Sequence, residues 1–436
     1  MNVSATQYPW RSLLLAVGLL LTGYSGLCAT ACADDWPQWR GQNRDGVWAE
    51  TSTLEKFPAS GLTIRWRVPV SSGFSSPIVA SGRVYQVDAE LNKPNATERI
   101  RCFEALTGKP IWNHSIQTTY PARAFEPGNL GGPNATPIVQ AGKLYTLGRR
   151  GHLLCFDAAT GKILWQKNLE KEYGTKEFLG TPSPLIEGSL LILDLGHRPD
   201  ASLIAFNKDT GKEVWKGFDE GQMCSSPIIV TAAGQRQLIA WTQAAVLSAD
   251  PATGKLLWRE RFNVGGATGI STPICRGNQL LVAGLMLELD AEKPAAKVLW
   301  PISRSSTRRI LSNTSTAAFI GEHIYSARST GDLVCLDRLT GEQVWESVKA
   351  TAPGRGSSIH ITPNGDSALL FTDTGELVRA RLTPKGYQEL TRTLLIKPNY
   401  VFEGRKVAWT FPAYANKHIF ARNNAELICA SLEAAR

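Results

Sequence analysis

One recurrence constrains this chain more than any other feature. Thr107-Gly108 is followed by Trp112, Thr160-Gly161 by Trp165, Thr210-Gly211 by Trp215, Thr253-Gly254 by Trp258 and Thr340-Gly341 by Trp345. Three residues before each Thr stands Glu104, Asp157, Asn207, Asp250 or Asp337. A fixed pattern at this period is one supersecondary unit copied along the chain. Its physics is readable in the second copy. Leu153-Leu154-Cys155-Phe156 makes a short strand, and the following Asp supplies acceptors at a bend. Gly161 gives the positive φ of a tight hairpin. Lys162-Ile163-Leu164-Trp165 makes the next strand, and its indole is suited to packing between neighbouring sheets. One carboxylate per turn is too few to cage a hard cation, so the acidic residues are read as turn formers and not as calcium ligands.

A second motif opens the first five units: Ser76-Pro77, Thr136-Pro137, Ser183-Pro184, Ser226-Pro227 and Thr272-Pro273, each followed by aliphatic residues. Proline cannot sit in a central strand, so this strand has a free edge. The innermost strand of a propeller blade, bordering a central channel, has that property. Four strands per unit is blade-like spacing. The units fall near 75–112, 135–165, 181–215, 225–258, 271–300, 314–345, 357–391 and 410–432. The fifth lacks its Thr-Gly but keeps Trp300, and the seventh is degenerate. The eighth lacks an outer strand. Residues 62–70, beginning Leu62-Thr63-Ile64-Arg65-Trp66, are predicted to supply it and close the ring. The fold expected is therefore all-β, an eight-bladed propeller of four-stranded antiparallel blades, with seven blades as the alternative count.

Length alone would suggest two or three domains, but the repeat predicts one, spanning 62–436. Residues 1–33 read as a secretory signal peptide: Arg11, an apolar run from Leu13 to Leu21, then Ala31-Cys32-Ala33. Cleavage is expected after Ala33, with lipidation at Cys32 as the alternative. Residues 34–61 are expected to pack on the propeller as an extension. No second long apolar segment is present, so no transmembrane segment is expected, and the mature chain is expected to be periplasmic or extracellular, and a monomer. Cys102, Cys155 and Cys335 occupy one repeat position that holds Ala205 or Ser248 elsewhere. That pattern asks for a small buried filler and predicts unpaired thiols.

The Ala-Thr-Gly-Lys-x-Leu-Trp units resemble those of the pyrroloquinoline-quinone-repeat, quinoprotein alcohol dehydrogenase-like propeller superfamily. Asp35-Trp36-Pro37-Gln38-Trp39-Arg40-Gly41 with Asn43-Arg44-Asp45-Gly46 resembles the start of many short bacterial propellers of this class. The resemblance covers nearly all of the mature chain. It implies either a quinone-dependent dehydrogenase or a non-catalytic propeller, and in size the chain is similar to the propeller lipoprotein of the outer-membrane β-barrel assembly machine. The repeated motif is structural and says little about activity.

In a propeller, the connections entering the first strand and leaving the second share one face. This places Arg149, Arg150, His197, Arg198, Trp241, Arg308, Arg309, Arg328, Arg355, His360, Trp409 and Arg422 on a funnel. Carboxylates there are few: Glu126, Asp194, Glu288 and Asp373. A basic, aromatic face suits a protein partner or an anionic small molecule or glycan, and paired substitution of Arg308 and Arg309 should weaken anion binding. The net charge of +9 could also suggest nucleic acid, but export and the absence of a nucleic-acid motif argue against it. No haem, zinc, nucleophile-elbow or phosphate-loop motif occurs. No catalytic residue and no metal site are assigned, and no cofactor is expected. The reading is an exported binding or scaffold propeller in envelope or outer-membrane assembly. The alternatives are an oxidoreductase that takes pyrroloquinoline quinone with calcium, and a glycan-binding module.

Overall fold

The repeated indoles join blades to one another. In the computed structural model, which describes residues 1–2, 35–126, 128–129, 131–174, 181–197, 199–264, 269–301 and 310–434, eight four-stranded antiparallel sheets form an eight-bladed β-propeller. Each sheet runs from an inner strand to an outer one. In blade 1 these are Ile78–Ala80, Arg83–Asn92, Asn95–Glu104 and Pro110–Thr119. Blades 2 to 7 repeat the order, with inner strands Ile138–Gln140, Leu185–Glu187, Ile228–Ala232, Ile274–Arg276, Ala318–Ile320 and Ile359–Asn364. Blade 8 contributes Ala413–Ala415, His418–Arg422 and Glu426–Ser431, and its outer strand is Ile64–Pro69 from the other end of the chain. The register, Trp66 opposite Cys429 and Pro69 opposite Glu426, closes the ring as expected. A two-stranded ribbon, Tyr400–Phe402 with Arg405–Val407, stands between blades 7 and 8.

The Thr-Gly-Trp unit now has a mechanical meaning. The Trp of one blade lies flat on the Gly of the next: a Cβ on Gly161 would stand 2.6 Å from the Trp112 ring, and one on Gly211 2.8 Å from Trp165. The indole N–H donates to the carbonyl three residues before that Gly, as in Trp112 to Ala158 (3.1 Å), Trp165 to Lys208 (2.9 Å), Trp215 to Pro251 (2.9 Å) and Trp300 to Arg338 (3.1 Å). Only Gly permits both the approach and the positive φ, +73° at Gly161. Asp157 spends one oxygen on the Thr160 N–H and hydroxyl, which is turn chemistry. Where blade 5 has lost its Thr-Gly, Trp258 turns to Gln237 of its own blade, at 2.9 Å.

The Ser/Thr of the second motif ties blades together around the channel. The Ser76 N–H donates to the Thr136 hydroxyl, Thr136 N–H to Ser183, Ser183 N–H to Ser226, and Thr272 N–H to Thr316, at 3.0–3.2 Å. These contacts satisfy backbone donors that proline-edged inner strands would otherwise leave open. The apolar cores lie between adjacent blades, as where Tyr85 and Cys102 of blade 1 pack with Leu144 and Phe156 of blade 2. Cys102, Cys155, Cys275, Cys335 and Cys429 are free thiols. Among the described residues no helix is long and apolar enough to cross a membrane.

Candidate functional site

The central channel is bounded by eight inner strands, and residues 36–48 lie across it. Trp36 exchanges two backbone hydrogen bonds with Val79 of blade 1, and the Pro37 carbonyl accepts from Val139 of blade 2. Arg44 donates to the Pro184 carbonyl of blade 3 (2.8 Å) and the Pro227 carbonyl of blade 4 (3.1 Å). The Trp39 indole donates to Thr272 at the mouth of blade 5 (2.8 Å). The Trp48 N–H donates to Pro363 of blade 7, and Trp36 and Trp48 pack on Tyr414 of blade 8. One short segment therefore touches the inner edge of seven blades. Its local fold needs left-handed backbone at Arg40, Gly41, Arg44 and Gly46. At Gly46 a Cβ would stand 2.6 Å from the Arg40 guanidinium.

Arg40 and Arg44 are 1% and 6% exposed. Arg40 donates to the Arg44 and Asp45 carbonyls and lies 5.8 Å over the Phe411 ring. Burial pushes the Arg40 guanidinium down to about 10 and Arg44 down to about 9, the latter also repelled by Arg40. Beside them His360 is buried, with Nε2 2.8 Å from the Trp409 carbonyl. Burial lowers it to about 4, so its ring is neutral at pH 7.

Above this floor, the sector of blades 7, 8 and 1 carries a wall of four part-buried aromatic rings, with the Tyr400 hydroxyl itself buried. Trp409 is 4.7 Å from Phe402, 5.5 Å from Tyr400 and 6.3 Å from Phe74 between ring centroids. The indole is fixed by a 2.9 Å bond to the Gly356 carbonyl. The wall's neighbour Arg405 is held by Asp373 and Ser357.

Of the five predicted funnel arginines among the described residues, Arg149 and Arg422 are buried in the framework and Arg150, Arg328 and Arg355 pair with carboxylates. Arg149 is buried: its N–H donates to Glu98 at 2.9 Å, and its guanidinium lies over Tyr120 and donates to the Gly132 carbonyl. Arg422 is fully buried, donating to the carbonyls of Val87, Ser71 and Asn423, and so fastens blade 8 to blade 1. Burial lowers its guanidinium to about 10. Arg150 pairs with Glu170 at a polar cleft of about 450 Å³ that His152 also lines. Arg328 pairs with Glu346, and Arg355, well exposed, with Glu403. Trp241 is not at the surface; it stacks on Phe262 at 5.4 Å inside a blade core. His360 and Trp409 meet as neighbours, whereas Arg328 and Trp241 stand in other blades. The His197 side chain, Arg198, Arg308 and Arg309 lie outside the described residues, and so do residues 3–33 of the expected signal peptide, Cys32 among them.

Sequence reasoning did not single out Arg40, Arg44, Phe74, Tyr400, Phe402, Glu98 or Asp88. Asp88 is buried and accepts from Arg99, Arg101 and the Ser71 N–H. Burial alone would raise its carboxyl, but the Arg99 hydrogen bonds and the charges of Arg101 and Arg422 outweigh that and lower it. Glu98 accepts from Tyr120 at 2.5 Å, and burial raises it. Asp194 is buried and raised well above the usual carboxylate range by desolvation. The one sequence signal for the axial segment was the Asp35–Gly46 motif itself, whose paired glycines and arginines have no strand period.

A carboxylated quinone with a divalent cation does not fit the described axial residues. The channel is crossed by the chain's own side chains, whose guanidiniums are turned onto carbonyls. Asp88, Glu98 and Asp373 are engaged by neighbours, the buried Asp194 keeps one oxygen without a partner, and among the described residues no cluster of three His, Cys, Asp or Glu is placed to hold a metal.

Comparison with known proteins agrees with this architecture. The family model described as outer membrane protein assembly factor BamB matches residues 96–229 and 199–381. BamB of Moranella endobia is 24% identical over 233 residues, covering 49% of this chain and 56% of that protein. Quinoprotein alcohol dehydrogenase PedH of Pseudomonas putida is 29% identical over 178 residues, covering 34% of this chain and 25% of that protein. The chain thus spans less than two thirds of the length of either relative. The crystal structure of BamB from Moraxella catarrhalis superposes with a TM-score of 0.54 at 15% identity, covering 86% of this chain and 99% of that one. Quinohemoprotein alcohol dehydrogenase from Comamonas testosteroni gives 0.62 at 15% identity, covering 92% and 81%. At that identity the superpositions speak for the fold alone. The family match, together with the repeats, places this chain in the pyrroloquinoline-quinone-repeat β-propeller family whose model carries the BamB description.

Proposed function

We propose that this chain is an exported, non-catalytic propeller that binds a protein partner on its funnel face, as a scaffold in envelope or outer-membrane assembly. The observation that carries this reading is the seating of residues 36–48 across the channel, which leaves the axis built as framework. What remains presentable is the rim, where Phe74, Tyr400, Phe402 and Trp409 form a rigid aromatic wall. Part-buried Trp and Tyr held by a fixed backbone are the residues from which interface hot spots are made. The relatives named outer membrane protein assembly factor BamB support the assembly role, and a periplasmic location is part of the same proposal.

Purified chain and outer-membrane assembly components should associate, and Tyr400→Ala should weaken that association about 10-fold or more while thermal stability changes little. Undiminished association by the variant would remove the wall from the interface. The dehydrogenase relatives favour a second reading as a quinone-dependent oxidoreductase. Titration with pyrroloquinoline quinone and calcium, read by dye-linked alcohol oxidation, separates the two: saturable binding with turnover would replace the scaffold reading.

A further inference from the structure

Two positive charges sit at the propeller axis without a direct ion pair, Asp45 attracting Arg40 only from farther off. Neither Arg40 nor Arg44 has a carboxylate within ion-pair distance among the described residues; all their partners are carbonyl or amide oxygens. A buried guanidinium without an anion is costly even when its hydrogen bonds are made. Here they are not all made: Arg40 Nη1 and Arg44 Nε are buried donors without a partner. Arg40 Nε reaches the Arg44 backbone carbonyl, while the Arg44 guanidinium extends to the carbonyls of blades 3 and 4.

The surroundings add donors. The hydroxyls of Ser75, Ser76, Thr181 and Ser358, at the entries to inner strands of blades 1, 3 and 7, are buried without a partner. Thr136, Ser183, Ser226 and Thr316 each accept a neighbour's backbone N–H, which leaves their own O–H to donate elsewhere. Buried guanidiniums with open donors, on a channel edge that carries spare hydroxyl donors, have the chemistry of an anion receptor.

We propose that the axis of this propeller binds a small monovalent inorganic anion, such as chloride, between residues 40–44 and the channel-edge hydroxyls. The anion neutralises the buried pair and seats residues 36–48 in the channel. Phe411, which lies 5.8 Å from the Arg40 guanidinium and packs with Trp36 and Trp39, favours a small ion over a bulky carboxylate. The inference is independent of the scaffold role and is tested without any partner.

Thermal melts of the full chain at constant ionic strength and pH, with gluconate progressively replaced by chloride, should show a rise of a few degrees that saturates. Bromide soaked into crystals should give an anomalous peak within hydrogen-bond distance of Arg40 Nη1 or Arg44 Nε. Arg44→Met should abolish the saturable rise. Melts indifferent to the anion, or crystals holding only water or an adventitious ion away from both arginines, would overturn the proposal. The bromide experiment uses the unsubstituted chain, so it decides the question even if Arg44→Met fails to fold.

Discussion

The Trp66 indole donates to the Ala105 carbonyl at 2.8 Å, and its ring lies against Gly108, where a Cβ would stand 2.7 Å away. Trp66 belongs to the outer strand of blade 8 and Ala105 to blade 1. The contact that joins every regular pair of blades thus also joins the two ends of the ring. Trp66 is 8% exposed, whereas Trp345, which makes the corresponding bond to Thr383 at 2.8 Å, is half-exposed. Trp66→Ala should therefore cost about 3–5 kcal/mol, and Trp345→Ala less. Denaturant titration of the two variants checks the order, and equal losses would mean that ring closure makes no special demand on its indole.

Glycines at the same backbone angle separate strain from contact. Gly161 has φ +73° and would press a Cβ onto Trp112, while Gly82 has φ +72° and nothing within 4 Å. Gly82→Ala should cost about 1 kcal/mol of left-handed strain. Gly161→Ala should cost about 1–3 kcal/mol beyond that, from overpacking. The difference between their unfolding free energies measures the indole contact, and a difference of zero would remove it.

His360 should make the protein acid-sensitive. Burial lowers it to about 4 from an ordinary 6.5, with the Arg40 charge acting in the same direction and the Trp409 hydrogen bond against it. The unfolded chain therefore takes up a proton near 6.5 that the folded chain refuses until about 4. Stability from this group is present above pH 6.5 and is lost as pH falls towards 4, by up to about 3 kcal/mol. Urea melts of His360→Gln across that window should show a shallower acid slope than the parent; an unchanged slope would assign the acid limb to other groups.

Asp194 works in the opposite sense. It is buried, one carboxyl oxygen accepts from the Gly196 N–H, and the other has no partner. Desolvation and the Glu220 charge raise it. The folded state holds a proton that the unfolded state releases near 3.8, so stability falls as pH rises from there through the folded value. Asp194→Asn keeps the hydrogen-bond acceptor and cannot ionise. It should stabilise the protein at pH 7 by about 1–3 kcal/mol, with the gain vanishing near pH 3. A loss of stability at neutral pH would show that the charged form is accommodated.

The eight blades, their channel-side edges and the closing strand were legible because a tight turn and an apolar alternation are encoded within a few residues of one another. A Gly four residues before a Trp states its own backbone angle and its own packing face, and repetition multiplies the signal. The partners of the arginines were not legible. Arg422 reaches the Val87 carbonyl across 335 residues of chain, and Arg44 reaches Pro227 across 183. No local pattern distinguishes such a buried guanidinium from one left in solvent on the funnel, which is why Arg149 and Arg422 read as surface charges. The sequence by itself determined the unit and its copying around a ring. Only the tertiary structure decided what fills the ring's centre, because that depends on seven inner strands converging from across the chain onto thirteen residues near its start.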